Sequence, residues 1–177
     1  MSVEPGGVAS GPAGGLSPWV GVRVRSRCEK MAADSLRGKG YEVFLPLYRA
    51  RRQWSDRVKV IEQPLFPGYL FCRLDVTARA PVVETPGVVS FVSFGRTPAA
   101  IDEQEIRNIQ EIIRSGLPMG PWPYLREGQR VEVSQGPLKG LRGILTRLKN
   151  EFRVVVSVTL LQRSVAVEVD REIVRPL

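Results

Sequence analysis

The side chains in this sequence that are best suited to chemistry are its cations, and they favour binding over catalysis. The 177 residues include 26 Lys and Arg, 18 Asp and Glu, two Cys and no His. Without histidine there is no Ser-His or Cys-His catalytic pair and no His-ligated metal. The formal net charge of +8 indicates an acidic partner, most often a nucleic acid.

The remaining reactive groups also argue against an enzyme. Cys28 and Cys72 stand 44 positions apart, which is neither a disulfide framework nor a zinc-ligand spacing. We therefore predict two small buried hydrophobic residues in a reducing compartment, the cytoplasm. Asp102 and Glu103 suit a helix start better than acid–base chemistry, and no P-loop motif is present. The sequence predicts a protein without catalytic residues, metal, cofactor or membrane-spanning helix.

The positive charge is concentrated in one part of the chain. Residues 19–60 contain 11 basic and 4 acidic residues, a net charge of +7. Residues 61–115 have a net charge of −2, and residues 116–177 have +4. This concentration favours a functional face on the first segment over an evenly solvated surface.

The elements that must position these cations begin after a leader at residues 1–17. This leader is rich in Gly, Pro, Ala and Ser, and we predict that it is disordered. Trp19–Val24 alternates in the manner of a half-buried strand. Ser26 and Glu29 have the spacing of a capping box at a helix start. The buried stripe predicted for this helix consists of Cys28, Met31, Ala32, Ser35 and Leu36.

A predicted hairpin carries five of the cations. Its arms are Tyr48–Gln53 and Val58–Glu62, with residues 54–57 at the tip. Cations neutralise phosphates and an exposed tryptophan stacks on unpaired bases, so the hairpin is a candidate nucleic-acid site. For Trp54 the alternative is a partly covered hairpin residue. The candidate residues are Arg49, Arg51, Arg52, Trp54, Arg57 and Lys59.

The other elements complete an α+β amino-terminal domain, an antiparallel sheet flanked by helices, over residues 18–115. A central strand ends at about Leu74, a short helix follows over residues 75–83, and another strand covers Val88–Val92. Asp102 and Glu105 form a second capping signal. The helix that they begin carries its apolar face on Ile106, Ile109, Ile112 and Ile113.

The last third of the sequence has a different character. Residues 116–125 contain three prolines and two glycines, which favours a linker. Residues 126–177 are rich in valine and punctuated by glycine, which is typical of a small all-β barrel of about five strands. Because the local preference is for strands, we predict that this domain is a barrel at all times.

Two signatures in this order resemble the NusG family of bacterial transcription elongation factors over residues 18–177. The first is Pro64–Phe71, followed by Thr85–Val88 and Phe91–Gly95. The second joins residues 128–131 to Gly136–Gly143 and resembles a KOW motif. The resemblance implies an NGN-like domain, a linker and an SH3-like KOW barrel. Residues 27–30, 53–57 and 64–67 look closer to specialised paralogues of RfaH and UpxY type, which act on selected operons, often for polysaccharides.

The resemblance also implies partners for the first domain. Family members dock on the clamp helices of RNA polymerase and meet the exposed non-template strand at the start of the first helix, which here carries Arg25, Arg27 and Lys30. The hairpin would then hold upstream DNA. The polymerase-binding residues implied are Leu65, Phe66, Pro67, Gly68 and Tyr69, although core positions are the alternative for Phe66 and Tyr69. The Thr-rich motif of RfaH, which contacts the opposite polymerase lobe, is absent from residues 78–83.

For the barrel, the resemblance implies either a small-subunit ribosomal protein or the termination factor Rho. The matching residues are Leu138, Leu141, Leu160, Leu161 and Arg163, and each leucine has the alternative of a core position. We expect a monomeric antitermination factor that suppresses pausing. Two alternatives stay open, which are a housekeeping NusG and a ribosome-associated KOW protein that binds RNA.

Overall fold

The computed structural model describes residues 16–75, 77–122, 128–148 and 151–177. The predicted leader at residues 1–17 therefore lies almost entirely outside the described residues. None of the helices in the described part of the chain is long and apolar enough to cross a bilayer.

The first domain is built on a five-stranded antiparallel sheet. Its central strand β1 pairs with β5 on one side and with β6 and β9 on the other, and β2 lies at the edge beyond β5. Two hairpins, β3–β4 and β7–β8, stand apart from this sheet. The strands are β1 (Trp19–Val24), β2 (Val43–Phe44), β3 (Leu47–Trp54), β4 (Arg57–Pro64), β5 (Tyr69–Arg73), β6 (Val88–Phe91), β7 (Ser93–Phe94), β8 (Thr97–Pro98) and β9 (Ala100–Ile101), and the helices are α1 (Glu29–Gly38), α2 (Ala80–Val83) and α3 (Glu103–Ser115).

Helix α1 covers one face of the sheet. Small residues make this close packing possible, because Ala32 and Ala33 are fully buried beside Leu36 against the valines of β1. The predicted stripe was wrong for Met31, whose side chain is 49% exposed, and Cys28 is only half-buried. Cys72 is fully buried, as predicted.

The capping box predicted at Ser26 and Glu29 was also wrong. The N-cap residue is Cys28, and no side chain caps the helix start. The carboxylate of Glu29 instead accepts a hydrogen bond from the backbone N–H of Gly68 at 3.0 Å. Glu29 therefore binds the distant Gly68 in place of the backbone at the start of its own helix.

Helix α3 packs on the opposite face of the sheet, where Ile106, Ile109 and Ile112 are buried in one cluster with Trp19 and Phe71. Asp102 is the N-cap, as predicted, and its side chain accepts from the N–H of Gln104 at 2.7 Å. Because helices or other chain segments cover both faces, β1 is buried on both sides except at Arg23. The prediction of a half-buried strand was therefore too simple.

A second, all-β sheet of six strands forms the C-terminal module, in the order β10-β14-β13-β12-β11-β15. Part of the predicted linker belongs to this sheet, since β10 pairs with β14. The linker prediction failed at these residues because Pro121, which cannot donate a backbone hydrogen bond, is tolerated on an edge strand. The strands are β10 (Met119–Trp122), β11 (Gln129–Val133), β12 (Arg142–Leu148), β13 (Glu151–Val158), β14 (Arg163–Val169) and β15 (Val174–Pro176).

The C-terminal module contacts the α3 side of the first domain. Residues of both modules share one apolar cluster, in which Leu161 is 8% exposed. A Cβ built on Gly21, at the middle of β1, would lie 3.4 Å from the Cδ2 of Leu161. The carboxylate of Glu105 accepts hydrogen bonds from the backbone N–H and the hydroxyl of Thr159, the latter at 2.7 Å. Glu105, predicted as half of a capping box, therefore joins the two modules.

Candidate nucleic-acid and partner interfaces

The cationic hairpin projects from the first domain as a free ribbon. Strands β3 and β4 pair along eight positions, from Leu47 opposite Pro64 to Trp54 opposite Arg57. At about 3.3 Å per residue, the ribbon is about 26 Å long. Every residue from Arg51 to Val60 is exposed. The predicted hairpin is confirmed, with both arms longer than the sequence indicated.

The register of the hairpin sorts its side chains onto two faces, because alternate residues of a strand point to opposite sides. We call them the Trp54 face and the Arg51 face. The Trp54 face carries Tyr48, Ala50, Arg52, Trp54, Arg57, Lys59, Ile61 and Gln63, and the Arg51 face carries Leu47, Arg49, Arg51, Gln53, Val58, Val60, Glu62 and Pro64. Of the six candidate residues that the sequence grouped together, four therefore lie on the Trp54 face and two on the Arg51 face.

The root of the hairpin is fixed on both faces. On the Trp54 face, the hydroxyl of Tyr48 donates to the side-chain carbonyl of Gln63 at 3.2 Å, and Tyr48 packs against the larger apolar cluster. On the Arg51 face, the ammonium of Lys30 lies 3.5 Å from the carboxylate of Glu62. Both partners of this ion pair are more than half exposed, so it contributes at most about 1 kcal/mol. It nevertheless places α1 beside the hairpin.

The turn before α1 holds the other predicted nucleic-acid residues. Arg25, Arg27 and Lys30 are all exposed. Arg27 adopts a left-handed conformation with φ of 66°, and the N–H of Arg25 donates to the carbonyl of Gly87 at 2.8 Å. These cations lie at the amino-terminal end of a helix, where the backbone dipole adds to their positive potential.

The predicted polymerase-binding segment lies next to this turn. The N–H of Val24 donates to the carbonyl of Gly68 at 2.9 Å, and Glu29 binds the N–H of the same glycine. Gly68 has φ of 82°, a conformation that strongly favours glycine. Two candidate surfaces that are about forty residues apart in the sequence are thus joined through one residue, Gly68.

Within that segment, the side chains have different exposures. Leu65 and Phe66 are 2% and 1% exposed, and the ring of Phe66 packs edge-on against Phe71 at 5.6 Å. Pro67 is exposed, whereas Gly68 and Tyr69 are half-buried. In this structure Leu65 and Phe66 are core residues, and the accessible part of the segment runs from Pro67 to Tyr69.

The predicted partner surface of the C-terminal module is mostly buried. Leu138 and Leu141 are 2% and 1% exposed, because the loop that carries them folds back with the N–H of Leu141 donating to the carbonyl of Leu138. Leu161 is buried near β1, and Leu160 is half-buried. Among the five, only Arg163 is exposed. Of the two alternatives left open for the leucines, Leu138, Leu141 and Leu161 follow the core position.

Comparison with known proteins places the chain in a family. A family model described as "Transcription termination factor nusG" matches residues 17–110. The transcription termination/antitermination protein NusG of Thermus thermophilus is 31% identical over 157 residues, which cover 80% of this chain and 84% of that protein. This chain belongs to the NusG family.

Two further comparisons agree. The transcription termination/antitermination protein NusG of Helicobacter pylori strain J99 is 24% identical over 151 residues, covering 82% of this chain and 86% of that protein. A solved structure described as "Domain interaction in Thermotoga maritima NusG" superimposes with a TM-score of 0.57 at 21% identity, covering 90% of this chain and 97% of that chain. The latter shows a shared fold.

Sequence reasoning missed two residues that organise this NusG-family chain. Glu29 was interpreted as a cap, and it fixes Gly68. Arg73 was passed over, although its guanidinium pairs with Glu42 at 2.9 Å and Glu103 at 2.6 Å and lies 4.6 Å from the ring centre of Trp19. The hydrogen bond from Arg73 lowers the pKa of Glu103. The available signal for Arg73 was a charged residue at the end of an otherwise apolar strand.

The reactive groups in the described part of the chain are few. Burial raises the pKa of the Cys72 thiol to about 12, with a smaller effect from Glu42. The thiol is therefore protonated and unreactive at neutral pH. No group of three or more Cys, Asp or Glu side chains suited to a metal ion occurs among the described residues.

Proposed function

We propose that this chain is a transcription termination/antitermination factor that acts on RNA polymerase and on the DNA beside it. The observation that carries the proposal is the joining of the cationic turn to the Pro67–Tyr69 loop through Glu29 and Gly68. One rigid corner of the first domain thereby presents an apolar loop and positive charge together. The proteins that this chain is similar to carry the corresponding name.

The apolar loop is the proposed contact with the polymerase clamp helices. Pro67 is exposed and Tyr69 half-buried, and a pre-ordered loop loses little entropy on binding. Leu65 and Phe66 support the loop from the core in this structure. On binding, the cations of the turn and the hairpin would meet the exposed non-template strand and the upstream DNA, which holds the transcribing complex and disfavours pausing.

The test is a pause assay with purified bacterial polymerase, with and without its clamp helices. The chain should shorten pauses only on the intact enzyme. Pro67→Glu places a charge in the loop without touching the core, and we expect it to remove the effect. The matched control is Val89→Glu, which adds the same charge at an exposed apolar residue of β6. Unchanged pausing with the intact enzyme would refute the proposal.

The C-terminal module is proposed to recruit a partner, with a small-subunit ribosomal protein favoured over Rho. Leucines stand where housekeeping members often carry aromatic residues, and Gln162 stands where a glycine is usual. Arg163 and Leu160 are the accessible candidate contacts. The test measures the affinity of the purified chain, and of its Arg163→Ala variant, for each of the two candidate partners. The partner that the wild-type chain binds, and that Arg163→Ala binds more weakly, is the one recruited.

The proposal also covers the set of genes on which this factor acts. The motifs at residues 27–30, 53–57 and 64–67 favour action on selected operons, whereas the relatives bear the name of the general factor. Sequencing of nascent transcripts with and without the protein separates the two. Effects confined to a few long operons support the specialist, and effects on most genes support the housekeeping role.

A further inference from the structure

We infer that the Trp54 face of the hairpin, and not the hairpin as a whole, binds a single strand of DNA. The inference rests on the proposed function, which brings DNA to this side of the molecule. It starts from the division of side chains by the β3–β4 register. Arg52 lies opposite Lys59 and Trp54 opposite Arg57, so three cations and the indole lie on adjacent positions of one face.

The cations of the Trp54 face are available to a ligand. None of Arg52, Arg57 and Lys59 forms an ion pair with another residue in the described part of the chain, and all three are exposed. Neither arm contributes a carboxylate to this face. Two like charges directly opposite each other, as at Arg52 and Lys59, repel. A phosphate between them relieves that repulsion, so the face is complementary to a polyanion.

The Arg51 face has a different character. Arg49 lies opposite Glu62, a carboxylate with no counterpart on the Trp54 face, and Arg51 lies opposite Val60. Val58 and Val60 are 61% and 55% exposed. The carboxylate of Glu62 also pairs with Lys30. This face therefore combines aliphatic surface with fewer unneutralised cations than the Trp54 face.

The indole of Trp54 indicates a single strand over a duplex. Its side chain is 57% exposed, and its ring centre lies 5.9 Å from the ammonium of Lys59. An exposed ring with a cation beside it is suited to stacking on an unpaired base whose phosphate the cation binds. In a duplex the bases are stacked on each other and offer no free face. The Trp54 face therefore matches a displaced DNA strand.

The experiment measures binding of the full chain to a short fluorescent single-stranded DNA by anisotropy, over a range of salt concentrations. Arg52→Ala/Lys59→Ala should reduce the slope of log K against log salt by about 1.4, the value for two phosphates on a single strand. Trp54→Ala should weaken binding about fivefold or more, and Trp54→Phe should restore most of the loss. Duplex DNA of the same sequence should bind more weakly than the single DNA strand, and RNA of the same sequence is measured beside them.

The matched control is Arg49→Ala/Arg51→Ala, which removes the same charge from the other face of the same hairpin. We expect it to weaken binding less than about twofold and to leave the slope nearly unchanged. Equal losses from the two double variants, no effect of Trp54→Ala, or tighter binding of duplex or RNA would overturn the inference. Pause suppression by the wild-type chain is measured in a separate assay. A chain that suppresses pausing but binds DNA equally through both faces would retain the proposed function and refute only this inference.

Discussion

The β3–β4 hairpin and the apolar α3 side of the sheet show two ways in which this chain uses its side chains. The hairpin pairs with no other strand and leaves Trp54, Val58 and Val60 more than half exposed. On the α3 side, Trp19, Phe66 and Phe71 are almost completely buried. Aromatic residues thus occur in both regions, and only their surroundings separate a core residue from a candidate ligand contact.

The largest expected effect compares one aromatic residue from each region. Phe66→Ala should reduce the free energy of unfolding by about 3–5 kcal/mol, because a buried ring is replaced by a cavity. Trp54→Ala should change it by less than about 0.5 kcal/mol, since an exposed ring loses little packing. Urea unfolding of both variants measures the difference. Similar losses would mean that the two regions do not differ in burial as described.

The next effect concerns Arg73, whose charge is mostly buried on the α3 side. Arg73→Ala should lower the free energy of unfolding by about 2 kcal/mol. This is somewhat less than the loss expected for a fully buried ion pair, because the carboxylates of Glu42 and Glu103 are partly exposed to solvent. The control is Arg107→Ala, which loses an exposed pair with the same Glu103 at 3.7 Å. It should cost no more than about 0.5 kcal/mol. Equal losses in urea unfolding would contradict a structural role for Arg73.

A smaller effect tests the contact between the two modules. Glu105→Gln removes the charged acceptor for the N–H and hydroxyl of Thr159 and should cost about 1 kcal/mol. The amide NMR signal of Thr159 should move at the same time. Glu111→Gln, on the same helix, is the control and should leave that signal in place. An unmoved Thr159 signal in Glu105→Gln would show that the contact is not formed in solution.

The smallest effect is a dependence on pH. The pKa of Glu103 is lower in the folded chain because Arg73 donates a hydrogen bond to it. Stability from this group is therefore fully present above its unfolded pKa of about 4.3 and is lost as the pH falls through the folded value. Unfolding measured from neutral pH down to acid should show a shallower decline in Glu103→Gln than in the wild type. An equal decline of stability with pH in the two proteins would contradict the lowered pKa of Glu103.

Much of the fold followed from local patterns. The strand over Trp19–Val24, the two arms of the hairpin and the isoleucine face of α3 all appear in the structure where the sequence placed them. The site was less accessible to such reasoning. The sequence collected six hairpin residues into one group, whereas pairing divides them between two faces, because the register of two strands is set by the turn and by their partners.

Three of the errors share one physical cause. Glu29 and Glu105 both had the spacing of a capping residue, and each carboxylate instead binds a group distant in the sequence, on Gly68 and Thr159. Pro121 argued for a linker, and an unpaired strand edge made it acceptable. In each case a contact with a residue distant in the sequence replaced the local interaction that the pattern predicted. Such a contact cannot be predicted from the neighbouring residues alone.

The sequence by itself determined the excess of basic charge, the absence of histidine, the position of the hairpin and the motifs that resemble the NusG family. Those properties depend on composition and on local periodicity. Only the tertiary structure decided that Leu65 and Phe66 are core while Trp54 is exposed, and that the cationic turn adjoins the Pro67–Tyr69 loop. Burial and adjacency depend on which surfaces pack together, and packing involves the whole chain.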